Sequence, residues 1–197
     1  MNIQKKYMQT EKVDTIIIGG GLSGLYAAFL MAARNHSPVL LEARSRLGGR
    51  ILSPVHQGFF ADLGPSWYWP MINPRVTALI KTLGLTGYPQ FETGLSRFQD
   101  RSGHVETIAG YPMEPPGWRL GGGMISLVNG LCARIPENVI RLNHPVCEIE
   151  QKDSGIQVTI GHLDEEPAGL IEASGLFWPC RPGLRPVHLL HRTCHTT

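Results

Sequence analysis

Cysteine is scarce in this chain of 197 residues. Cys132, Cys147, Cys180 and Cys194 show no CxxC spacing, which excludes a disulfide-built mini-protein and makes a reducing, cytoplasmic setting the expectation. Long apolar runs are absent as well. None approaches the roughly 18 residues of a membrane-crossing helix, and the polar residues 1–12, expected to be a flexible N-terminus, lack the apolar stretch of a secretory leader. No membrane association is therefore expected. Strong net charge is missing too: the formal balance is +2, too small a field to draw a nucleic acid or another polyanion. What remains is an ordinary globular composition, 42% hydrophobic and 17% charged, long enough to bury a core.

One absence is local. All 16 acidic residues lie between Glu11 and Glu172, so the last 25 residues carry Arg181, Arg185 and Arg192 with no acid at all. Three of the eight histidines, two of the four cysteines and three prolines are crowded into the same stretch.

Residues 13–18 form a β-branched apolar run short enough for a buried parallel strand. It leads directly into Gly19-Gly20-Gly21-Leu22-Ser23-Gly24, then into helix formers over 25–33, then into Val39-Leu40-Leu41-Glu42. Strand, glycine turn, helix, strand and acid follow one another within 30 residues. In that setting Gly19 makes the tight turn, Gly21 lets backbone approach a pyrophosphate, and Gly24 lets helix pack on strand. The free N–H groups of the helix start attract the phosphates. Gly19, Gly21, Ser23 and Gly24 are thus candidate phosphate-binding positions. Glu42, 18 residues after Gly24, is placed to accept hydrogen bonds from ribose hydroxyls. A glycine motif alone is weak evidence, but the flanking strands and terminal acid make this a dinucleotide-binding unit.

Glu42-Ala43-Arg44-Ser45-Arg46-Leu47-Gly48-Gly49-Arg50 resembles the E-A-R-x-R-x-G-G-R segment of FAD-dependent amine oxidases and their relatives. A second glycine pair permits a second close backbone approach, so Gly49, Arg44 and Arg50 join the candidates, the arginines as fixed charge for the pyrophosphate. Ala61-Asp62-Leu63-Gly64-Pro65-Ser66-Trp67 resembles that family's D-x-G-x-x-aromatic stretch. The resemblance implies that Gly64, Pro65, Ser66 and Trp67 run beside the isoalloxazine. Residues 139–160 resemble the pattern I-R-L-N-x-P-V-x-x-I followed by G-V-x-V, which implies that Val146 presents its backbone to adenine.

The expected fold is α/β: a Rossmann-like, FAD-binding βαβ domain of the GR2 flavoprotein type, carrying part of a substrate-domain insertion. Residues 13–72 are expected to be the FAD-binding βαβ unit, 73–120 the partial insertion, and 121–174 the return to the FAD domain. Asn73-Pro74 reads as the start of a helix with Val76, Leu79, Ile80 and Leu83 on one face and Gly84 ending it. Gly121-Gly122-Gly123-Met124 opens a second helix with no strand clearly before it. Residues 98–108 read as a hairpin turning at Ser102-Gly103.

Beyond 174 the resemblance stops. Where the family continues V-I-L-A-L-P-P-R, this chain has Gly175-Leu176-Phe177-Trp178-Pro179-Cys180-Arg181-Pro182. Phe-Trp-Pro is encoded TTY TGG CCN, and a one-base shift reads YTG GCC, Leu-Ala, whatever the codon choice. The next codons can then complete L-A-L-P-P-R. Residues 175–197 are therefore expected to be an aberrant tail, out of frame. Its His188, His191, Cys194 and His195 lack paired spacing for a metal, and its arginines lack a nucleic-acid pattern.

The resemblance implies FAD as cofactor and a small-molecule substrate, an amine, losing hydride to the flavin with O2 as the usual reoxidant. No catalytic acid, base or nucleophile stands out, and none is assigned. Two other readings stay open: a truncated, non-catalytic FAD-binding remnant, and a flavoprotein like the carotenoid desaturases or protoporphyrinogen oxidases. Oligomeric state is not legible.

Overall fold

The computed structural model describes residues 10–110, 114–161 and 167–179, and the backbone of 188–190. The chain divides into two compact units, one comprising residues up to Arg50 together with Val128 onward, the other Ile51–Leu127.

In the first unit, β1 (Thr10–Ile18) leads through the glycine turn into α1 (Leu22–Ala32) and then β2 (Pro38–Leu41). β1 and β2 pair in parallel, Ile16 with Val39 and Ile18 with Leu41. A parallel pair needs a crossover, and α1 supplies it. The helix starts at Leu22, three residues before the run of helix formers, because Gly21 in extended conformation is its N-cap. β9 (Ile140–Arg141) extends the parallel sheet beyond β2. On the other side β12 (Gly169–Phe177) runs parallel to β1, and β11 (Gly155–Ile160) and β10 (Val146–Lys152) follow as an antiparallel meander. The backbone of β13 (His188–Leu190) adds parallel to β10. The order is β13-β10-β11-β12-β1-β2-β9.

Two differences from expectation sit at the ends of this pairing. β1 begins at Thr10, inside the stretch expected to be flexible, because Thr10 pairs with Leu170 and Glu11 with Ile171. β12 continues through Gly175, Leu176 and Phe177, which pair with Thr15, Ile16 and Ile17. Ladder bonds are backbone bonds, and Leu and Phe fit a buried strand whatever frame encodes them. Residues 1–9, 180–187 and 191–197, with the expectations for Cys180, Arg181, Arg185, His191, Arg192, Cys194 and His195, lie outside the described residues.

This sheet is folded over itself. Arg141 is level with Leu41, and Leu41 with Ile18, so a straight β1 would hold Glu11 about 23 Å away. Yet Arg141 grips Glu11 in a two-pronged ion pair, Nη1 to Oε2 at 2.5 Å and Nη2 to Oε1 at 2.6 Å. The two halves enclose a core of Ile16, Val39 and Leu41 against Ile149, Val158, Ile160, Ile171 and Ala173.

The second unit is built from small pieces. A two-residue pair, β3 (Val55–His56) and β4 (Phe59–Phe60), is followed by α2 (Pro74–Thr82), with Leu79 and Ile80 buried. Gly84, at φ +71°, ends that helix. Asn73 is its N-cap but donates no side-chain cap; its Oδ1 instead accepts from Trp69 N at 3.1 Å. β5 (Gly87–Pro89) pairs with β8 (Trp118–Leu120), and β6 (Leu95–Gln99) with β7 (Val105–Ala109). The β6–β7 turn is made by Asp100, whose Oδ1 accepts from Ser102 N, Ser102 Oγ and His104 N. Those bonds hold its carboxyl below the usual range. Contrary to expectation a strand, β8, does precede the Gly121–Gly123 turn; three residues with one tryptophan carry too little alternation to be read. α3 (Ile125–Cys132) then runs across the boundary between the units. Among the described residues, no helix is long and apolar enough to cross a membrane.

Candidate cofactor site

Gly19 leaves β1 at φ +103°, in a region L side chains avoid, and its N–H donates to Leu41 O at 2.8 Å. Gly24 lies buried in the first turn of α1, where a Cβ would stand 2.0 Å from Gly19 O. The expected close packing of helix on strand is thus a steric requirement, met where β1 passes into the glycine turn. Ser23 is exposed in the same turn. Gly21 caps α1 without any side-chain cap, and no acid occupies the first turn, so the N–H groups of that turn are available to an anion.

Glu42 ends β2 with only 8% exposure. Its Oε2 accepts from Gly20 N at 2.7 Å, and its Oε1 from Arg44 N at 2.9 Å. The carboxylate therefore ties the first glycine turn to the second glycine-arginine segment, and each oxygen keeps a lone pair for a further donor. Gly20 also lacks room for a side chain, since a Cβ would meet Leu47 Cδ2 at 2.4 Å.

The second segment lies against the first. Gly48 N donates to Gly20 O at 2.8 Å, and Gly48 bridges Gly21 in parallel fashion. A Cβ on Gly49 would stand 3.1 Å from Gly21 Cα, and Gly49 has φ +59°. Two bare backbones thus form one surface, a cradle that Cβ atoms would fill. Arg46, not among the expected site residues, braces it by donating to Leu47 O and Gly49 O. Arg44 and Arg50, at either end of the second segment, are exposed. Val146 opens β10, half-buried, with its side chain against the core cluster. The turn before it closes on the acid: His144 N donates to Glu42 O at 2.9 Å, and Asn143 N to Arg44 O at 3.1 Å. Asn143 stands at φ +57° to make that turn. The residues present suit a dinucleotide: bare backbone and free N–H groups for phosphates, a held carboxylate for a ribose, and cations alongside.

Gly64, Pro65, Ser66 and Trp67 lie in the other unit. Gly64, Pro65 and Trp67 are exposed, and Ser66 Oγ donates within the turn to Gly64 O at 3.3 Å. Asp62, just before them, accepts from Met124 N at 3.1 Å and from Ser53 Oγ. It thereby joins the D-x-G stretch to the Gly121–Gly123 turn. Sequence reading missed this link and the brace by Arg46, since a carboxylate-to-backbone bond 62 residues apart leaves no periodic trace. Cys132 is half-buried, and burial pushes its thiol up. Among the described residues, no cluster of His, Cys, Asp and Glu could hold a metal ion.

Residues 17–83 match the NAD(P)-binding Rossmann-like domain, and residues 91–169 match the flavin containing amine oxidoreductase family. Putrescine oxidase of Kocuria rosea is 34% identical over 125 residues, covering 62% of this chain and 26% of that protein. Human flavin-containing amine oxidase B is 36% identical over 113 residues, covering 55% and 20%. The chain is thus similar to the flavin-containing amine oxidoreductases. Members of this family are FAD-dependent oxidoreductases, and FAD is the cofactor the family implies. A solved structure of wild-type putrescine oxidase bound to putrescine superposes with a TM-score of 0.72 at 17% identity, over 85% of this chain and 58% of that one. At that identity the likeness concerns the fold, and it agrees with the Rossmann-like α/β unit. The chain spans about a quarter or less of the length of these curated relatives.

Proposed function

We propose that this chain carries the FAD-binding portion of an amine-oxidising flavoprotein, with Gly19, Gly21, Ser23, Gly24, Glu42, Arg44, Gly49, Arg50 and Val146 serving the dinucleotide and Gly64–Trp67 lying on the flavin side. The observation that carries this reading is the Glu42 carboxylate, which links the phosphate-binding turn to the second glycine-arginine segment. Bound FAD would supply the redox chemistry, accepting hydride from the amine-bearing carbon and passing electrons to O2. The chain's own residues bind and orient it: the first turn of α1 with Gly19–Gly21 holds the pyrophosphate, Glu42 the ribose, and the backbone at Val146 the adenine. No side chain is assigned to proton transfer. The substrate is a small amine, and the setting a cytoplasm.

The visible spectrum of the purified chain, before and after adding FAD, tests this. Bound yellow flavin is the expected result, and a Glu42→Ala variant with unchanged flavin content would remove that residue from the site. A second reading is favoured by the apolar surface of the 51–127 unit, where Phe59, Met71, Phe91 and Leu95 are each about four-fifths exposed. On that reading the 197-residue chain binds flavin without turning over any amine. A frame change at about residue 175 belongs with it, and DNA sequence across codons 175–183 that offers no single-base restoration of L-A-L-P-P-R would end that idea.

A further inference from the structure

The second unit contains one guanidinium that is held rigidly and left half-used. Arg119 on β8 is half-buried, and its Nε donates to Gln90 Oε1 at 2.5 Å. Its guanidinium carbon lies 4.8 Å from the centroid of the Trp67 ring. Trp67 Nε1 donates to the same Gln90 Oε1 at 2.8 Å, while Gln90 Nε2 donates to Phe91 O, which fixes the sense of the amide. Three segments are locked together around these side chains. Tyr68 and Trp118 exchange both backbone bonds, at 2.9 and 2.8 Å, and Gln90 N donates to Gly117 O at 2.8 Å. Among the described residues, stacking and the Nε bond leave the Nη1 and Nη2 edge without a protein partner, and no carboxylate pairs with it.

An arginine stacked on an aromatic and bonded through Nε has lost most of its side-chain freedom, so a ligand meeting its open edge finds two parallel N–H donors already aligned. That edge matches a carboxylate. The cluster supplies a single positive charge, which balances a carboxylate and falls short of a phosphate dianion. The same charge repels the second ammonium of a diamine. Because Trp67 ends the stretch assigned to the flavin side, we propose that Arg119, buttressed by Trp67 and Gln90, is a specificity-determining carboxylate fork, and that the substrate class is an amine bearing a carboxylate, of the amino-acid type. This rests on the reading of residues 64–67 given above.

The test uses the purified chain and needs no bound flavin. Tryptophan emission is titrated with phenylacetate, 2-phenylethylamine and phenylphosphonate, in the native chain and in Arg119→Gln and Arg119→Lys. The expected result is a saturable response to phenylacetate, weakened about tenfold or more in Arg119→Gln and less in Arg119→Lys, with no matching response to 2-phenylethylamine. Absence of a saturable phenylacetate response in the native chain overturns the proposal. So does equal affinity in Arg119→Gln, or tighter binding of the amine or the phosphonate. If Arg119→Gln does not fold, Arg119→Lys decides: it keeps charge and stem, loses the fork, and must still weaken phenylacetate. Flavin absorbance of the same preparations is read separately, so a failed fork with bound flavin leaves the cofactor reading standing.

Discussion

The two units treat their apolar side chains in opposite ways. In the unit formed by residues up to Arg50 and from Val128, the only large hydrophobic exposed among the described residues is Tyr26, at 39%. Among the described residues of Ile51–Leu127, thirteen are exposed, from Leu52 to Val105. The first unit folds a seven-stranded sheet over its own core, so its side chains find partners within the unit. The second has only two-residue to five-residue strands and one amphipathic helix, too little to enclose what it carries. Scattered exposed hydrophobics are ordinary, but a concentration of this kind marks a surface made to be covered. A locally self-sufficient cofactor cradle and an uncovered neighbour thus share one chain.

That contrast is breakable at four points. The largest effect is expected at Gly24: Gly24→Ala puts a Cβ 2.0 Å from Gly19 O, and should cost about 3 kcal/mol or more, with flavin binding lost alongside the melting transition. A stable, yellow Gly24→Ala protein would show that the turn and helix can part without harm. Next comes a matched pair of truncations. Ile171→Ala, in a residue 2% exposed, should lower stability by about 2–5 kcal/mol, whereas Leu95→Ala, in a residue 80% exposed, should stay within about 0.5 kcal/mol. Denaturant midpoints compare them directly, and similar losses would erase the difference between the units.

A third, smaller effect concerns association rather than folding. Replacing Phe91 with Ser and Leu95 with Lys together should reduce light scattering of the concentrated chain while leaving the melting temperature unchanged. Unaltered scattering would mean that the second unit's apolar surface does not drive self-association. The smallest effect is the acid limb of stability. The bonds from Arg141 hold the Glu11 carboxyl below its ordinary value of 4.5. A depressed carboxyl contributes stability that is complete above that value and lost as pH falls through the lowered one. Both side chains are part exposed, at 27% and 44%, so the pair is worth no more than about 1 kcal/mol. Glu11→Gln should flatten the stability profile below pH 4.5, with its loss, up to about 1 kcal/mol, present in full at neutral pH and gone once the native carboxyl is protonated. An unchanged acid limb would show that the folded-over sheet does not depend on this pair.

Legibility in the sequence followed how local the physics was. Glycines before a helix, an apolar strand ending in an acid, and the Asn73-Pro74 helix start all act within a few residues, and each was readable. The link between Asp62 and Met124, the brace by Arg46, and the Arg119–Trp67–Gln90 cluster depend on which distant segments meet. No spacing encodes them. The short strand β8 was missed because three residues cannot display an alternation. The continuation of β12 past Ser174 was not read because it rests on backbone pairing of Gly175, Leu176 and Phe177 with β1, which no local pattern announces.

What the sequence determined alone is the strand–turn–helix–strand unit: its turn glycines, its acid and its helix are dictated by backbone conformations and periodicities that neighbouring residues impose. The tertiary structure decided the rest. Only a sheet folded over itself could bring Glu11 to Arg141, and only the meeting of two glycine backbones could make the cradle a single surface. Which hydrophobics are covered was likewise settled by packing, because burial is a property of what a side chain meets and not of the side chain itself.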